Sequence, residues 1–330
     1  MTRKTKILVI GKKNHLGWIE HTINGFRQND CIVDSFFTNI LPIKSSIKKA
    51  ILKLKKDKNG EILLQLDWLN KKIKTFKPDM VFFIGLFFTN VTLLNFCKEK
   101  HIVTAGWVGD RFNNDKKIYI DSLDHLFLSD SAFMQIAQDI GFENRHFLQF
   151  GYDENLHKDL NIDRKMSINF VGSYTKERDE IFSYLKNQHL EIYGAKWNNL
   201  NTKSNKWNIS NKKISQKKVV QIYNSTIATL NVAQKNNIIN MVNMRTFEAI
   251  ACGSCLLNDN VKDIELCFEP NKEILVYKNP DELQELSDKV LKDKHFAQKI
   301  AKNGKIRAEK SGYSYRNRTK EILTLCGFRG

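Results

Sequence analysis

The reading of the fold turns on Asn243-Met244-Arg245-Thr246-Phe247-Glu248-Ala249-Ile250-Ala251-Cys252-Gly253 and the run that follows, Ser254-Cys255-Leu256-Leu257. Polar residues open the first stretch, apolar residues fill it and Gly253 closes it, the order of a short capped helix. Cys255–Leu257 then reads as a buried strand, and Ile227–Leu230 upstream reads as another. Strand, helix and strand in that order make one unit of a parallel sheet.

The same alternation extends in both directions. Ile274–Tyr277 reads as a last strand followed by three helical segments, and upstream Ile168–Val171 and Leu190–Tyr193 read as strands, with helices over Lys176–Lys186 and Gln216–Asn224. Beyond a polar connector at Tyr152–Lys165 lies an earlier series of apolar runs: Ile7–Ile10, Ile32–Phe37, Met80–Ile84, Val103–Trp107, Leu126–Ser129 and Arg145–Phe150. The class is α/β, with two Rossmann-like, doubly wound domains expected at 1–155 and 156–330. Such sheets bind ligands at their carboxyl ends, here in an expected interdomain cleft.

Composition agrees with a folded, two-core chain. Its 330 residues are 42% apolar with only four prolines and no low-complexity tract. The apolar run at Ile7–Ile10 stops at Gly11, short of the roughly 7–15 residues of a secretory leader. Met80–Phe88 is far below the roughly 20 residues of a membrane span, so a cytoplasmic location is expected. The six cysteines are scattered, and the Cys252-Gly253-Ser254-Cys255 pair lacks the second Cys or His pair of a zinc site, so no metal is expected.

The formal charge of +17 is patchy, with eleven lysines between Lys44 and Lys77 and six between Lys203 and Lys218. These residues either coat solvated faces or attract an anionic membrane surface at the Lys44–Lys77 region. No nucleic-acid motif or interleaved aromatic platform accompanies them, which argues against nucleic acid.

Candidate chemistry collects at the ends of strands. The N-terminus of the helix at Asn243, Met244, Arg245 and Thr246 offers unpaired N–H groups and a positive dipole end, an anion site that Arg245 strengthens for a diphosphate. Glu248, one turn in, is placed to accept ribose hydroxyls; the plainer alternative is a capped helix with an Arg245–Glu248 pair. Gly172 and Ser173 follow a strand where a ligand can approach the backbone closely, and Arg178 opens the next helix, either as a phosphate ligand or as a solvated charge. In the first half, Gly11 and Gly17 fail the spacing of a dinucleotide fingerprint, so no NAD is inferred. His15, in that loop, is an acceptor-binding or proton-accepting candidate, or an exposed helix cap. Asp110, just past the strand Val103–Trp107, is the candidate general base for an acceptor hydroxyl, unless it pairs with Arg111.

Several of these stretches together resemble a known family. Arg245–Gly253 is followed by Phe268-Glu269-Pro270-Asn271, Asp281-Glu282-Leu283 and Ser314-Tyr315-Arg316-Asn317-Arg318, and preceded by Asn169–Arg178, Ile192–Trp197 and Trp107-Val108-Gly109-Asp110. Order and spacing resemble group 1 glycosyltransferases, specifically the CgeB-like (spore maturation protein) glycosyltransferases, from roughly Ile102 to Arg318. Asn271 stands where a Gly is common, the usual His near Ser314 is absent, and the first hundred residues match only as a generic α/β domain.

The resemblance implies a GT-B fold with the nucleotide-sugar donor in the C-terminal domain, the acceptor mainly in the N-terminal one, and a last helix at about 313–327 crossing back. It also implies transfer to a glycan, lipid-linked glycan or protein in cell-surface glycan biosynthesis, without a cofactor or a tightly bound metal. A nucleotide-sugar epimerase on the same fold, or a non-catalytic nucleotide- or glycan-binding protein, are the alternatives.

Overall fold

In the computed structural model of the chain, residues 3–14, 17–40, 58–86, 89–233 and 238–328 are described. They divide into two units, one of Met1–Gln149 with Arg316–Gly330 and one of Phe150–Tyr315.

The first unit runs β1 (Lys6–Gly11), α1 (Trp18–Gln28), β2 (Ile32–Phe37), α2 (Lys58–Phe76), β3 (Met80–Ile84), α3 (Val91–Glu99), β4 (Val103–Val108), β5 (His125–Leu128), α4 (Ser131–Asp139) and β6 (Arg145–Phe147). Its six strands lie in the order β2-β1-β3-β4-β5-β6, and every neighbouring pair is parallel. Because both faces are covered, the central strands are apolar throughout. Leu8, Ile10, Val81 and Phe83 bury one face, while Phe82 on the other meets Phe26 of α1 edge to face at 5.2 Å. Asn90 and Asp130 cap α3 and α4 by accepting the N–H groups of Leu93 and Ala132.

The second unit runs β7 (Lys165–Val171), α5 (Lys176–Ser183), β8 (Leu190–Tyr193), β9 (Trp207–Ser210), α6 (Gln216–Ser225), β10 (Thr226–Asn231), α7 (Met244–Ala251), β11 (Cys255–Asp259), α8 (Ile264–Cys267), β12 (Leu275–Tyr277), α9 (Pro280–Lys292) and α10 (Lys294–Lys310). This sheet has the order β12-β11-β10-β7-β8-β9 and is again parallel. The last helix, α11 (Tyr315–Leu325), contributes to the first unit from Arg316 onward. There the Asn29 amide donates to the Arg316 carbonyl at 2.8 Å and to the Thr319 hydroxyl at 3.0 Å.

The opening segment forms as its residues dictate. Asn243 caps α7 by accepting the Arg245 N–H at 3.0 Å, and Gly253 ends it at φ +70°. The Gly253 and Ser254 N–H groups then close onto the carbonyls of Ile250 and Ala249. The Arg164 guanidinium donates to the Cys252 carbonyl at 2.6 Å and so caps the same end with charge. Two sequence expectations shift. The strand expected over Arg145–Phe150 pairs only to Phe147, and β9 has no counterpart among the expected strands. β9 is a four-residue edge strand in which Asn208 and Ile209 are exposed, so it carries too little apolar pattern to register.

Candidate functional site

The carboxyl ends of β7, β8, β10 and β11 in the second unit assemble a cationic, polar site. Gly172 continues from β7, and its carbonyl accepts the Trp197 indole N–H at 2.8 Å. Gly194, past β8, lies against this same carbonyl at φ +149°; a Cβ there would sit 1.9 Å from the Gly172 oxygen. A Cβ on Gly172 itself would meet the Phe170 ring at 2.8 Å and Arg178 Nη1 at 3.2 Å. The absence of side chains at both positions is what lets the two strand ends close up. Among the described residues the Ser173 N–H makes no backbone hydrogen bond, although its neighbours Gly172 and Tyr174 donate to Tyr193 and Ala195.

Arg178 is not a solvated helix charge. It is 3% exposed, lies over the Phe170 ring at 5.1 Å, and donates to the carbonyls of Ser173 at 2.6 Å and Val232 at 3.1 Å. Burial first, and then the neighbouring positive charge of Arg245, lower its pKa to about 9. Arg245 also turns away from the pairing that its spacing to Glu248 allows, donating instead to Asn231 Oδ1 at 3.1 Å. Among the described residues no carboxylate lies within ion-pair distance of either guanidinium. Asp259 and Glu177 act on Arg178 only through space, and two adjacent cations so incompletely countered are costly unless an anion joins them.

A buried amide network holds this arrangement. Asn231 Oδ1 also accepts from Asn243 at 3.1 Å, and its Nδ2 donates to Asn258 Oδ1 at 2.7 Å and to the Thr246 hydroxyl at 3.0 Å. Thr246 donates onward to Asn258 at 2.9 Å, and the Tyr277 hydroxyl donates to the Asn231 carbonyl at 3.0 Å. The Thr246 hydroxyl is therefore engaged inside the protein, its N–H donates to the Asn243 carbonyl at 3.2 Å, and the Met244 side chain is buried. Glu248 is buried too, with a carboxylate oxygen within 4.8 Å of a ring nitrogen of His157. The His157 Nδ1 accepts the Asp153 N–H at 3.0 Å, which leaves a neutral ring's proton on Nε2.

The structure thus brings together Gly172, Ser173, Arg178, Asn243, Arg245 and Thr246, with Glu248 one turn along α7. Sequence reasoning missed Asn231, Asn258 and His157, and gave Gly194 and Trp197 no site role beyond their place in the Ile192–Trp197 motif. A signal existed for the first two: polar residues ending the otherwise apolar runs Thr226–Asn231 and Cys255–Asp259 mark the carboxyl edge of the sheet.

In the first unit, Asp110 follows β4 and is partly buried. Burial raises its pKa, and the charge of Arg111 only partly counters that. Among the described residues its carboxylate accepts no hydrogen bond. His15 lies outside the described residues, as do Lys44, Lys48, Lys49, Lys53, Lys55 and Lys56 of the lysine-rich stretch. Among the described residues no helix is long and apolar enough to cross a membrane.

Residues 176–324 match the family described as glycosyl transferase-like, a span holding Arg178, Arg245 and Glu248. No curated protein matches the chain. Among solved structures, a glycosyltransferase from Rickettsia africae shares 12% identity, with 98% of each chain covered and a TM-score of 0.71. Anabaena HepE in complex with UDP-glucose shares 11%, covering 98% of this chain and 99% of its own at a TM-score of 0.69. A UDP-N-acetylglucosamine 2-epimerase, so described, from Listeria monocytogenes shares 10%, covering 97% and 95% at 0.63. The chain therefore has the GT-B fold, two parallel six-stranded units, and its residues 176–324 are similar to the glycosyl transferase-like family.

Proposed function

We propose that the protein transfers a sugar from a nucleotide-linked donor, and that the diphosphate of the donor is held by Arg178, Arg245, the Ser173 N–H and the N-terminus of α7. The observation that carries this reading is the pair of adjacent guanidiniums, one of them 3% exposed, with no carboxylate at ion-pair distance among the described residues, at the carboxyl edge of a doubly wound sheet. Negative charge grows on the diphosphate as the glycosidic bond breaks, and fixed cations and helix N–H groups stabilise it most at that moment. The same donors neutralise the leaving group as a metal ion otherwise does, which supports transfer without a tightly bound metal. HepE in its UDP and UDP-glucose complexes supports a uridine nucleotide as the first donor to try.

On this reading the acceptor is a glycan, a lipid-linked glycan or a protein, and Asp110 is the proposed base for its hydroxyl in an inverting mechanism. The group 1 and CgeB-like assignments, a place in cell-surface glycan biosynthesis and a cytoplasmic site of action at an anionic membrane surface belong to the same proposal. Epimerisation of a free nucleotide sugar is the second reading, favoured by the epimerase of the same fold. Conversion of the donor without any acceptor distinguishes it.

The test is Arg245→Ala with calorimetric binding of uridine, UDP and UDP-glucose. Turnover, followed as donor hydrolysis or transfer, is expected to fall about 10²–10³-fold, as for loss of one transition-state donor. UDP affinity falls less, and uridine affinity stays unchanged. Equal loss for uridine and UDP contradicts the assignment of Arg245 to the diphosphate.

A further inference from the structure

A cavity of about 400 Å³ opens in the second unit between the start of α5, the start of α9 and the ends of β10, β11 and β12. Its apolar wall is Ile181, Val232, Tyr277 and Leu283, and its polar groups include the carboxylates of Glu177, Glu180 and Asp259 and, among the described residues, one ammonium, that of Lys278. The size falls within the roughly 300–1,000 Å³ of small-ligand sites. It adjoins the diphosphate site directly, because Arg178 donates to the carbonyl of Val232, and Asp259, which lines the cavity, accepts the N–H of Ala233 at 3.0 Å.

We infer that this cavity receives the sugar ring of the donor, and that the ring it suits is uncharged or amine-bearing and not one that carries a carboxylate. The inference rests on the donor-site reading above and deepens it. A pyranose has an apolar C–H face and a rim of hydroxyls, which the Ile181, Val232 and Leu283 wall and the surrounding carboxylates and amides complement. The charge decides the class. Asp259 lies close enough to Arg178 to raise that group's pKa, and once a bound diphosphate takes up this cation the carboxylates of Glu177 and Glu180 face the ring with one lysine among the described residues. Glu177 stays ionised, since its own backbone N–H and the Thr175 hydroxyl hold its pKa below the usual carboxylate value. A uronic acid ring placed there meets like charge, whereas hydroxyls donate to the carboxylates and an ammonium pairs with them.

The test is calorimetric titration of UDP, UDP-glucose and UDP-glucuronate into the full chain, or of the ADP or GDP counterparts where one of those diphosphates binds more tightly. Wild type is expected to bind the glucuronate about tenfold or more weakly than the glucose form. Glu180→Lys, an exposed change on α5, is expected to shrink that ratio severalfold. Ile181→Trp, which fills the cavity from its half-buried wall, is expected to bring UDP-glucose affinity to that of UDP while leaving UDP unchanged. Equal binding of the two sugars by wild type overturns the inference, as does an Ile181→Trp protein that binds UDP and UDP-glucose as wild type does. Failure of every nucleoside diphosphate to bind overturns the donor-site reading itself and the inference with it.

Discussion

At the scale of single residues, the chemistry depends on side chains whose surroundings penalise their charge. Arg178 does so as a buried cation beside Arg245, and Asp110 does so as a carboxylate raised by burial. Because the folded state holds the Asp110 proton more tightly than the unfolded chain does, the stability it supplies is fully present below the ordinary value of 3.8 and is lost as pH rises through the raised one. Ionised Asp110 therefore costs stability at neutral pH. Asp110→Asn is expected to raise the melting temperature at pH 7 and to match wild type below pH 3.8. If Asp110 is the acceptor's base, the same variant loses transfer on the order of 10²–10⁴-fold with nucleotide affinity kept. A gain in stability with near-normal transfer would return Asp110 to a merely buried acid. The residue type and strand-end position of Asp110 were legible in the sequence. Its environment was not, because burial is set by segments distant along the chain.

At the scale of elements, the Gly172–Gly194 contact and the β5–β6 edge make separate predictions. Trp197 holds the Gly172 carbonyl while stacking on Phe182 of α5, ring to ring at 5.3 Å. Gly194→Ala places a methyl carbon 1.9 Å from that carbonyl oxygen and forces the strand ends apart. Denaturant unfolding is expected to show a loss of about 1–3 kcal/mol, as for an overpacked interior. UDP binding is expected to weaken with it, since Ser173 moves with Gly172. Unchanged stability and binding count against the contact.

On the other unit, His125 Nδ1 and His146 Nε2 lie 3.3 Å apart with ring centroids at 5.5 Å, so the rings meet end to end. Burial lowers the pKa of both rings. Asp124 partly offsets this at His125, and the neighbouring His125 adds to it at His146. Stability is therefore present above the ordinary 6.5 and is lost as pH falls through the lowered values. Melting curves from pH 8 downward should show this acid sensitivity in wild type and a flatter profile in His146→Gln. Identical profiles would place the acid sensitivity elsewhere.

At the scale of the whole molecule, the charge of +17 is distributed unevenly. No Asp or Glu stands between Glu191 and Glu248, and the lysines Lys203, Lys206, Lys212, Lys213, Lys217 and Lys218 in that interval are all exposed. In contrast, Lys71 and Lys72 pair with Asp67 at 2.8 Å and with Asp34 at 2.9 Å. If the basic surface docks an anionic membrane, sedimentation with acidic vesicles is expected at low salt and falls steeply as salt rises, because exposed charges are screened beyond about 10 Å at 0.1 M. No sedimentation even at low salt leaves these lysines as solvated faces.

What the sequence determined by itself is the class and the place of the proposed diphosphate site. Apolar runs alternating with amphipathic stretches specify parallel sheets wherever both faces are covered, and Asn243 to Gly253 carries its own cap, helix and stop. Gly172, Arg178 and Arg245 were legible as candidates because they follow strand ends and open the next helices, although Arg178 read equally as a solvated charge and Arg245 as a partner for Glu248. Only the tertiary structure decided that Arg178 is buried and that Arg245 turns to Asn231 and not to Glu248. It also decided that Gly194 touches Gly172 and that Thr246 faces inward. Each of these is a contact between segments far apart in the chain, and local propensity and spacing carry no information about which strand end lies beside which.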